Sequence, residues 1–188
     1  EARQQGLLDD AGLFTDVAQA HRGLVVQRQL RSQQLGEAGR TVILSSHNQP
    51  FAYRVGTQLT FLEEGRLTAP RDNVFKGSVE STDERFTYFR CGEGLLHCPA
   101  QQGQFSTAAL PMDDVILSQE AVHTSAQNQF RGRVLSVQRH GPLVRVRLDC
   151  ALSAAVQAAI TDYSAQSLGV VPGAAFYVTF KASAIRLY

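Results

Sequence analysis

The chain has 188 residues, 44% hydrophobic and 19% charged, an ordinary globular composition that excludes intrinsic disorder. A net charge of +1 supplies no field to draw nucleic acid or an anionic membrane, and no apolar run is long enough to span a bilayer. No signal peptide pattern is read either, so any membrane link is expected to run through a partner. Three cysteines, Cys91, Cys98 and Cys150, form an odd and sparse set that fits a reducing cytoplasm better than a disulfide scaffold. Cys91, His97 and Cys98 lack the close spacing of a zinc knuckle and there is no second pair, so no metal is expected there.

Residues 1–70 carry an α/β pattern. Gly6-Leu7-Leu8-Asp9-Asp10 reads as the end of a buried strand. Asp16 is placed to cap a helix running to about Gly36, with Ala18, Val25 and Leu35 towards one side and Arg22, Arg28 and Arg31 solvated. Thr41-Val42-Ile43-Leu44-Ser45 is short, apolar and β-branched, which predicts a buried strand. A short helix is expected over Phe51 to Val55. Two strands, Leu59 to Leu62 and Arg66 to Thr68, are expected around a turn at Glu64-Gly65.

The chemistry changes at Ala69-Pro70-Arg71-Asp72-Asn73, where a boundary is placed. Beyond it, short β runs are broken by glycine and proline at close intervals. Val74 to Val79, Phe86 to Arg90 and Val115 to Leu117 are candidate strands of a first unit, 71–120. In a second unit, 121–188, Val134 to Gln138 and Leu143 to Leu148 flank the turn His140-Gly141-Pro142. Val144, Val146 and Leu148 alternate with Arg145 and Arg147, one face buried and one wet. Ala154 to Ile160 follows as a strand. Asp162 to Leu168 reads as a short helix capped by Asp162 and ended by Gly169. Pro172-Gly173 is a turn, and Ala175 to Phe180 and Ile185 to Tyr188 are strands. This content predicts an OB-like five-stranded barrel. Asn73-Val74-Phe75-Lys76-Gly77-Ser78-Val79 parallels Asn128-Gln129-Phe130-Arg131-Gly132-Arg133-Val134, so the two units read as diverged copies of one plan.

Three segments of the second unit suit a compact dianion, which needs many donors and few acceptors. Thr124-Ser125-Ala126-Gln127-Asn128 offers hydroxyls and an amide and no acid. Thr161 to Gln166 places Ser164 at a helix start, with Asp162 nearby as an opposing charge unless it turns back as a cap. Lys181-Ala182-Ser183-Ala184 brings a cation and a hydroxyl between small residues. Each also has a plain alternative, a surface turn or a solvated lysine.

Ser125-Ala126-Gln127-Asn128 resembles the Ser-Ala-Arg-Asn opening of the Mop family, the molybdate-binding form of the TOBE domain, with Gln127 in place of Arg. Phe180-Lys181-Ala182-Ser183-Ala184 resembles its closing Lys-Ala-Ser segment, and the stretch Thr161 to Gly173 resembles its central Thr, Ser, Leu-Gly-Leu and Pro-Gly pattern. The resemblance covers Ser125 to Tyr188 in order. It implies molybdate or tungstate held between paired barrels by Ser125, Ala126, Gln127, Asn128, Ser164, Lys181, Ala182 and Ser183. Asn73 to Ser118 resembles the TOBE region of transporter ATPases, through Leu110-Pro111-Met112-Asp113-Asp114-Val115-Ile116-Leu117.

Residues 1–70 resemble the end of an ABC transporter ATPase domain. Asp9 and Asp10 align with the magnesium-holding Asp and the water-orienting Glu of its Walker B strand. Asp10 is one methylene shorter than that Glu, and Ala11 replaces the usual Pro. Asp16 aligns with the D-loop Asp and His47 with the switch histidine, and Leu62-Glu63-Glu64-Gly65-Arg66 matches the hairpin that closes the domain. No G-x-x-x-x-G-K-[ST] loop, glutamine loop or Leu-Ser-Gly-Gly-Gln signature is present in these 188 residues, so the phosphate cradle needed for ATP hydrolysis is missing and the chain is not expected to be an enzyme as it stands.

The expectation is thus an α/β fragment (1–70), then two OB-like TOBE/Mop barrels (71–120 and 121–188). The implied role is an oxyanion-binding regulatory domain on the ATP-binding subunit of a molybdate or tungstate importer. ATP and Mg²⁺ would act only in the complete parent, and partners would be a second copy through the barrels and a membrane permease through the ATPase domain. Its place would be the cytoplasm, peripheral to the membrane. The alternative is a TOBE dimerisation scaffold for an importer of another solute, with no anion bound.

Overall fold

The computed structural model describes residues 43–188, apart from Thr57, Glu64 and Ala69. The expected strand at Gly6–Asp10, the helix from Asp16 to Gly36, and Asp9, Asp10 and Asp16 themselves lie outside the described residues. The chain divides into two compact units, Glu1–Leu59 and Thr60–Tyr188.

In the first unit, α1 (Gln49–Val55) begins where Asn48 accepts a hydrogen bond from the Phe51 N–H at 3.1 Å through its side-chain oxygen. Pro50 sits in the first turn, where its missing N–H costs nothing. Ile43, Leu44 and Ser45 form no strand, and Ile43 is 61% exposed. A buried strand needs a ladder partner on each side, and no described residue supplies one there.

The second unit opens with a hairpin, β1 (Phe61–Glu63) and β2 (Arg66–Thr68), whose turn uses Gly65 at φ +76°. Ten strands carry the main body of the first half and the second: β3 (Asp72–Lys76), β4 (Ser78–Thr82), β5 (Phe86–Cys91), β6 (Gly94–Pro99), β7 (Thr107–Pro111), β8 (Ile116–Ser118), β9 (Asn128–His140), β10 (Leu143–Asp149), β11 (Val156–Thr161) and β12 (Ala175–Phe180). A short helix α2 (Asp162–Ser167) follows β11, and β13 (Arg186–Leu187) comes last. Turns of 3-10 helix span Met112–Asp114 and Ala182–Ala184.

These strands do not close into two OB-like barrels, and this corrects the expected fold class. They form an open five-stranded sheet, β11-β10-β9-β12-β8, and two open three-stranded sheets, β13-β7-β3 and β4-β5-β6. The final strand of each half pairs in the other: β8 joins β12, and β13 joins β7. Two edge strands, β6 and β11, are met by side chains instead of by a closing strand. Asn128 takes the N–H of His97 on its Oδ1 (2.8 Å) and donates Nδ2 to the His97 carbonyl (2.9 Å). Asn73 does the same to Gln157 of β11, at 2.6 and 2.9 Å, and also donates to the Leu110 carbonyl at 3.3 Å. An amide side chain carries one acceptor and a donor group in the spacing of a peptide, so it ends a ladder that a further strand would extend.

The two halves thus repeat each other in structure. Asn73 and Asn128 are 2% and 1% exposed and perform one task. Gly77 and Gly132, four residues on from each, both press against the next hairpin. A Cβ on Gly77 would lie 2.0 Å from the Arg90 carbonyl oxygen, and one on Gly132 would lie 2.6 Å from Cys150 Sγ and 3.3 Å from the Asp149 oxygen. The turns after β5 and β10 also meet: the Glu93 N–H donates to the Ala151 carbonyl at 2.9 Å. One hydrophobic core runs through both halves, from Phe75, Phe89, Leu96 and Leu110 to Val134, Val146, Leu148, Val156, Val178 and Phe180. Phe130 stacks on Phe180 with ring centroids 5.9 Å apart. The three cysteines are buried in this core. Burial pushes the thiols of Cys98 and Cys150 up to about 12 and raises that of Cys91.

Candidate oxyanion site

The site candidates are distributed by one long strand. β9 has 13 residues and changes partner along its length. Its first part, from Asn128 to Arg133, pairs with β12, and its second part, from Arg133 to His140, pairs with β10. A register shift between Arg147 and Leu148 gives β9 an extra residue there, which bends it.

At the Asn128 end, Asn128 and Phe180 are direct partners. Ser125, Ala126 and Gln127 lead into β9 at this end, and Lys181, Ala182 and Ser183 leave β12 at the same end. The pairing therefore places the opening and closing segments side by side. Ser125, Gln127, Lys181 and Ser183 are exposed, while Ala126 and Ala182 are half-buried. Asn128 is different in kind: its side chain is buried and committed to His97, so what it can offer a ligand is backbone alone. Within the opening segment the Ala126 N–H is taken by Thr124 Oγ1 at 2.8 Å, and Gln127 Nε2 reaches the Ser125 carbonyl at 3.5 Å. Lys181 stands directly before the 3-10 turn and is exposed. No carboxylate occurs in 121–128 or 181–184.

Ser164 lies elsewhere. It sits in α2, which follows β11, and Thr161 at the end of β11 pairs with Leu143, the partner of His140. Ser164 therefore belongs to the far end of β9, up to about 40 Å of strand from Asn128. Its hydroxyl shares a hydrogen bond with Thr161 Oγ1 at 2.9 Å, and its N–H donates to the same oxygen at 3.1 Å. Thr161, and not Asp162, caps the helix. Asp162 instead pairs with Arg139 and accepts from Gln166 Nε2 at 2.6 Å. A carboxylate one position inside the helix still suits the positive end of its dipole, which is why the sequence pattern pointed to it.

Sequence reasoning set His97 aside with the cysteines. In the structure it stands against the opening segment, its Nδ1 3.2 Å from the Gln127 carbonyl oxygen. Its ring meets Phe86 and Tyr88 edge to face, with centroids 5.5 and 5.1 Å away. The Asn73–Asn128 repeat was the signal that could have found it, since each asparagine must face a strand edge in the other half. His47 is exposed in the bend before α1, with no nucleotide-binding loop in the sequence to serve. Among the described residues no group of three or more His, Cys, Asp or Glu side chains could hold a metal, and no helix is long and apolar enough to cross a membrane.

Comparison with known proteins agrees on the second half. The family model of the TOBE domain matches residues 124–187. The molybdate/tungstate import ATP-binding protein WtpC of Pyrococcus abyssi is 31% identical over 197 residues, which takes in 97% of this chain and 56% of that protein. The protein of the same description from Pyrococcus horikoshii is 28% identical over 167 residues, 81% of this chain and 48% of that one. The chain thus spans about half the length of the curated relatives it matches. Among solved structures, the cytoplasmic molybdate-binding protein ModG, in a form with molybdate bound, superposes with a TM-score of 0.53 over 61% of this chain and 94% of its own. At 22% identity that likeness speaks to the fold alone.

Proposed function

We propose that this chain, which carries a TOBE domain and is homologous to molybdate/tungstate import ATP-binding proteins, binds an oxyanion of the molybdate or tungstate class as the regulatory part of an importer's ATP-binding subunit. One observation carries this reading. The Asn128–Phe180 pairing sets two donor-rich segments without carboxylates beside each other at one end of a sheet. A compact dianion is held by such a shell of backbone N–H groups, hydroxyls and one ammonium, and is repelled by acids. Lys181 supplies the cation, Ser125 and Ser183 the hydroxyls, and Ala126, Gln127, Asn128 and Ala182 the close-packed backbone. Gln127 contributes no charge, so Lys181 bears the electrostatic attraction.

Ser164 belongs to the far end of β9 and joins such a site only when a second chain supplies it. This is the physical basis for a homodimer through these domains, with oxyanion between copies. Oxyanion bound there favours one spacing of two ATP-binding subunits over another, and so slows import when the cytoplasm is replete. That requires unequal affinity for the two spacings, and nothing more. ATP and Mg²⁺ act in the complete subunit, which meets a membrane permease at the cytoplasmic face.

Calorimetric titration of the full chain with molybdate, tungstate and sulfate, beside Lys181→Ala, tests the reading. Tight binding of the two large ions, none of sulfate, and a loss of about 10- to 100-fold in the variant are expected for one charge-assisted hydrogen bond. No heat with any ion from folded protein would overturn it and leave a dimerisation scaffold.

A further inference from the structure

We propose that His97 is the positioning residue of the oxyanion site, holding the opening segment in its ligand-ready shape from the other half of the domain. The inference rests on the oxyanion reading above and adds a residue that lies outside the segments that reading uses.

His97 grips the opening segment at three points. Its backbone N–H and carbonyl both bond the Asn128 amide, at 2.8 and 2.9 Å. Its ring Nδ1 lies 3.2 Å from the Gln127 oxygen. A carbonyl only accepts, so Nδ1 carries the hydrogen and donates it. The backbone pair anchors the start of β9. The ring bond does something separate, because it acts on the last peptide before the strand. That peptide is planar, so holding its oxygen on His97 fixes its rotation and the direction of the N–H groups beside it. It also keeps a carbonyl oxygen, an acceptor that repels anions, turned to β6 and out of the donor set.

The ring is itself held. Phe86 and Tyr88 of β5 pack against it edge to face. The Tyr88 hydroxyl donates to Asp83 Oδ2 at 2.9 Å, and Asp83 Oδ1 accepts the N–H groups of Arg85 and Phe86, each at 2.7 Å. A turn in the first half is thus tied through Tyr88 and His97 to Gln127 in the second. The corresponding residue of the other half, Gln157, makes the same two backbone bonds to Asn73. There Asp72 precedes Asn73 in β3, and the 3-10 turn that packs against β11 carries Asp113 and Asp114, acids that suit no anion. The imidazole stands at the one of the two equivalent positions whose flanking segments are free of acid.

The test uses the full chain, titrated with molybdate by calorimetry, with a thermal melt of each variant. His97→Phe keeps the ring and removes the donor. His97→Asn places an amide nitrogen close to where Nδ1 stands. The expected result is a Phe variant that melts near wild type yet binds molybdate about threefold to tenfold more weakly, the size of one neutral hydrogen bond. The Asn variant should recover most of that loss. Should His97→Phe fail to fold, His97→Leu is compared with His97→Asn, a pair of one size that differs in the donor. Equal affinity of Phe and wild type, or an Asn variant no better than Leu or Phe, overturns the proposal. The two readings separate cleanly. If wild type binds no molybdate, both fall. If Lys181→Ala loses binding and His97→Phe does not, the site stands and the role of His97 is refuted.

Discussion

Replacing each of the two buried asparagines by alanine makes the same lesion in both halves of the domain and asks which half holds the ligand. Asn128 and Asn73 are almost fully buried, and each bonds both backbone groups of an edge residue, His97 or Gln157. Alanine removes those two hydrogen bonds at about 1 kcal/mol each, and at Asn73 also the longer 3.3 Å bond to the Leu110 carbonyl. It also leaves a strand N–H and carbonyl to find water at a half-buried edge, which adds up to about 1 kcal/mol. Each variant should therefore lose about 2–3 kcal/mol. In a domain of this size that lowers the melting temperature by roughly 8–12 °C. Urea denaturation read by far-ultraviolet circular dichroism gives the free energies, and both midpoints should fall, that of Asn73→Ala at least as far as that of Asn128→Ala.

Oxyanion binding should then part the pair. Asn73→Ala disturbs Gln157 of β11 and Leu110 of β7, which lie outside both donor-rich segments, so a molybdate titration well below its melting point should match wild type. Asn128→Ala removes two of the three bonds by which His97 holds the opening segment and should weaken binding several-fold. A loss under about 0.5 kcal/mol in either variant would refute the edge-capping account. An equal loss of binding in both would refute the placement of the site in the second half.

Two further outcomes follow from packing. Gly77→Ala should destabilise more than Gly132→Ala, with the first at the upper end of the usual 1–3 kcal/mol for overpacking or beyond it, because its Cβ meets a backbone oxygen at 2.0 Å while the nearest obstacle to the second is a thiol that can rotate; thermal melts of the two variants decide. With thiols at about 12 and out of solvent, Cys98 and Cys150 should not react with a chromogenic disulfide at neutral pH in the native state, and all three cysteines should react once the chain is unfolded.

The strands legible in the sequence were those with one face wet. β10 alternates Val144, Val146 and Leu148 inward with exposed or half-exposed residues between, and Gly141-Pro142 marks its turn, so both its span and its burial could be read. β12, Ala175–Phe180, was read with the same ends, bounded by Pro172-Gly173 before it and Lys181 after. β7 could not be read in this way. Thr107, Ala108, Ala109 and Leu110 are all buried, on both faces, so the period of two vanishes, and alanine is no strand former. β6 begins at Gly94 and ends at Pro99, residue types depleted in strands, so it was not legible either. Open sheets in place of barrels were beyond reach for a different reason. A strand's own residues set which face is buried, but not which sheet it joins, and β8 and β13 join the half they do not follow.

That exchange bears on how such a domain can signal. In two separate barrels, a ligand gripping 181–184 would tighten only its own barrel. Here the chain that leaves Lys181 runs through its 3-10 turn into β13, which pairs with β7, and β7 pairs with β3. β3 lies four residues beyond the β1–β2 hairpin. The opening segment is tied the other way, through Asn128 and His97 into β6 and β5. Both halves of the candidate site are therefore anchored on sheets of the first half, while the strands that bring them together belong to the second. A ligand that draws the two segments together acts on the β13-β7-β3 sheet and the β4-β5-β6 sheet at once. Packed sheets resist continuous deformation, so the load passes as a shift of whole elements.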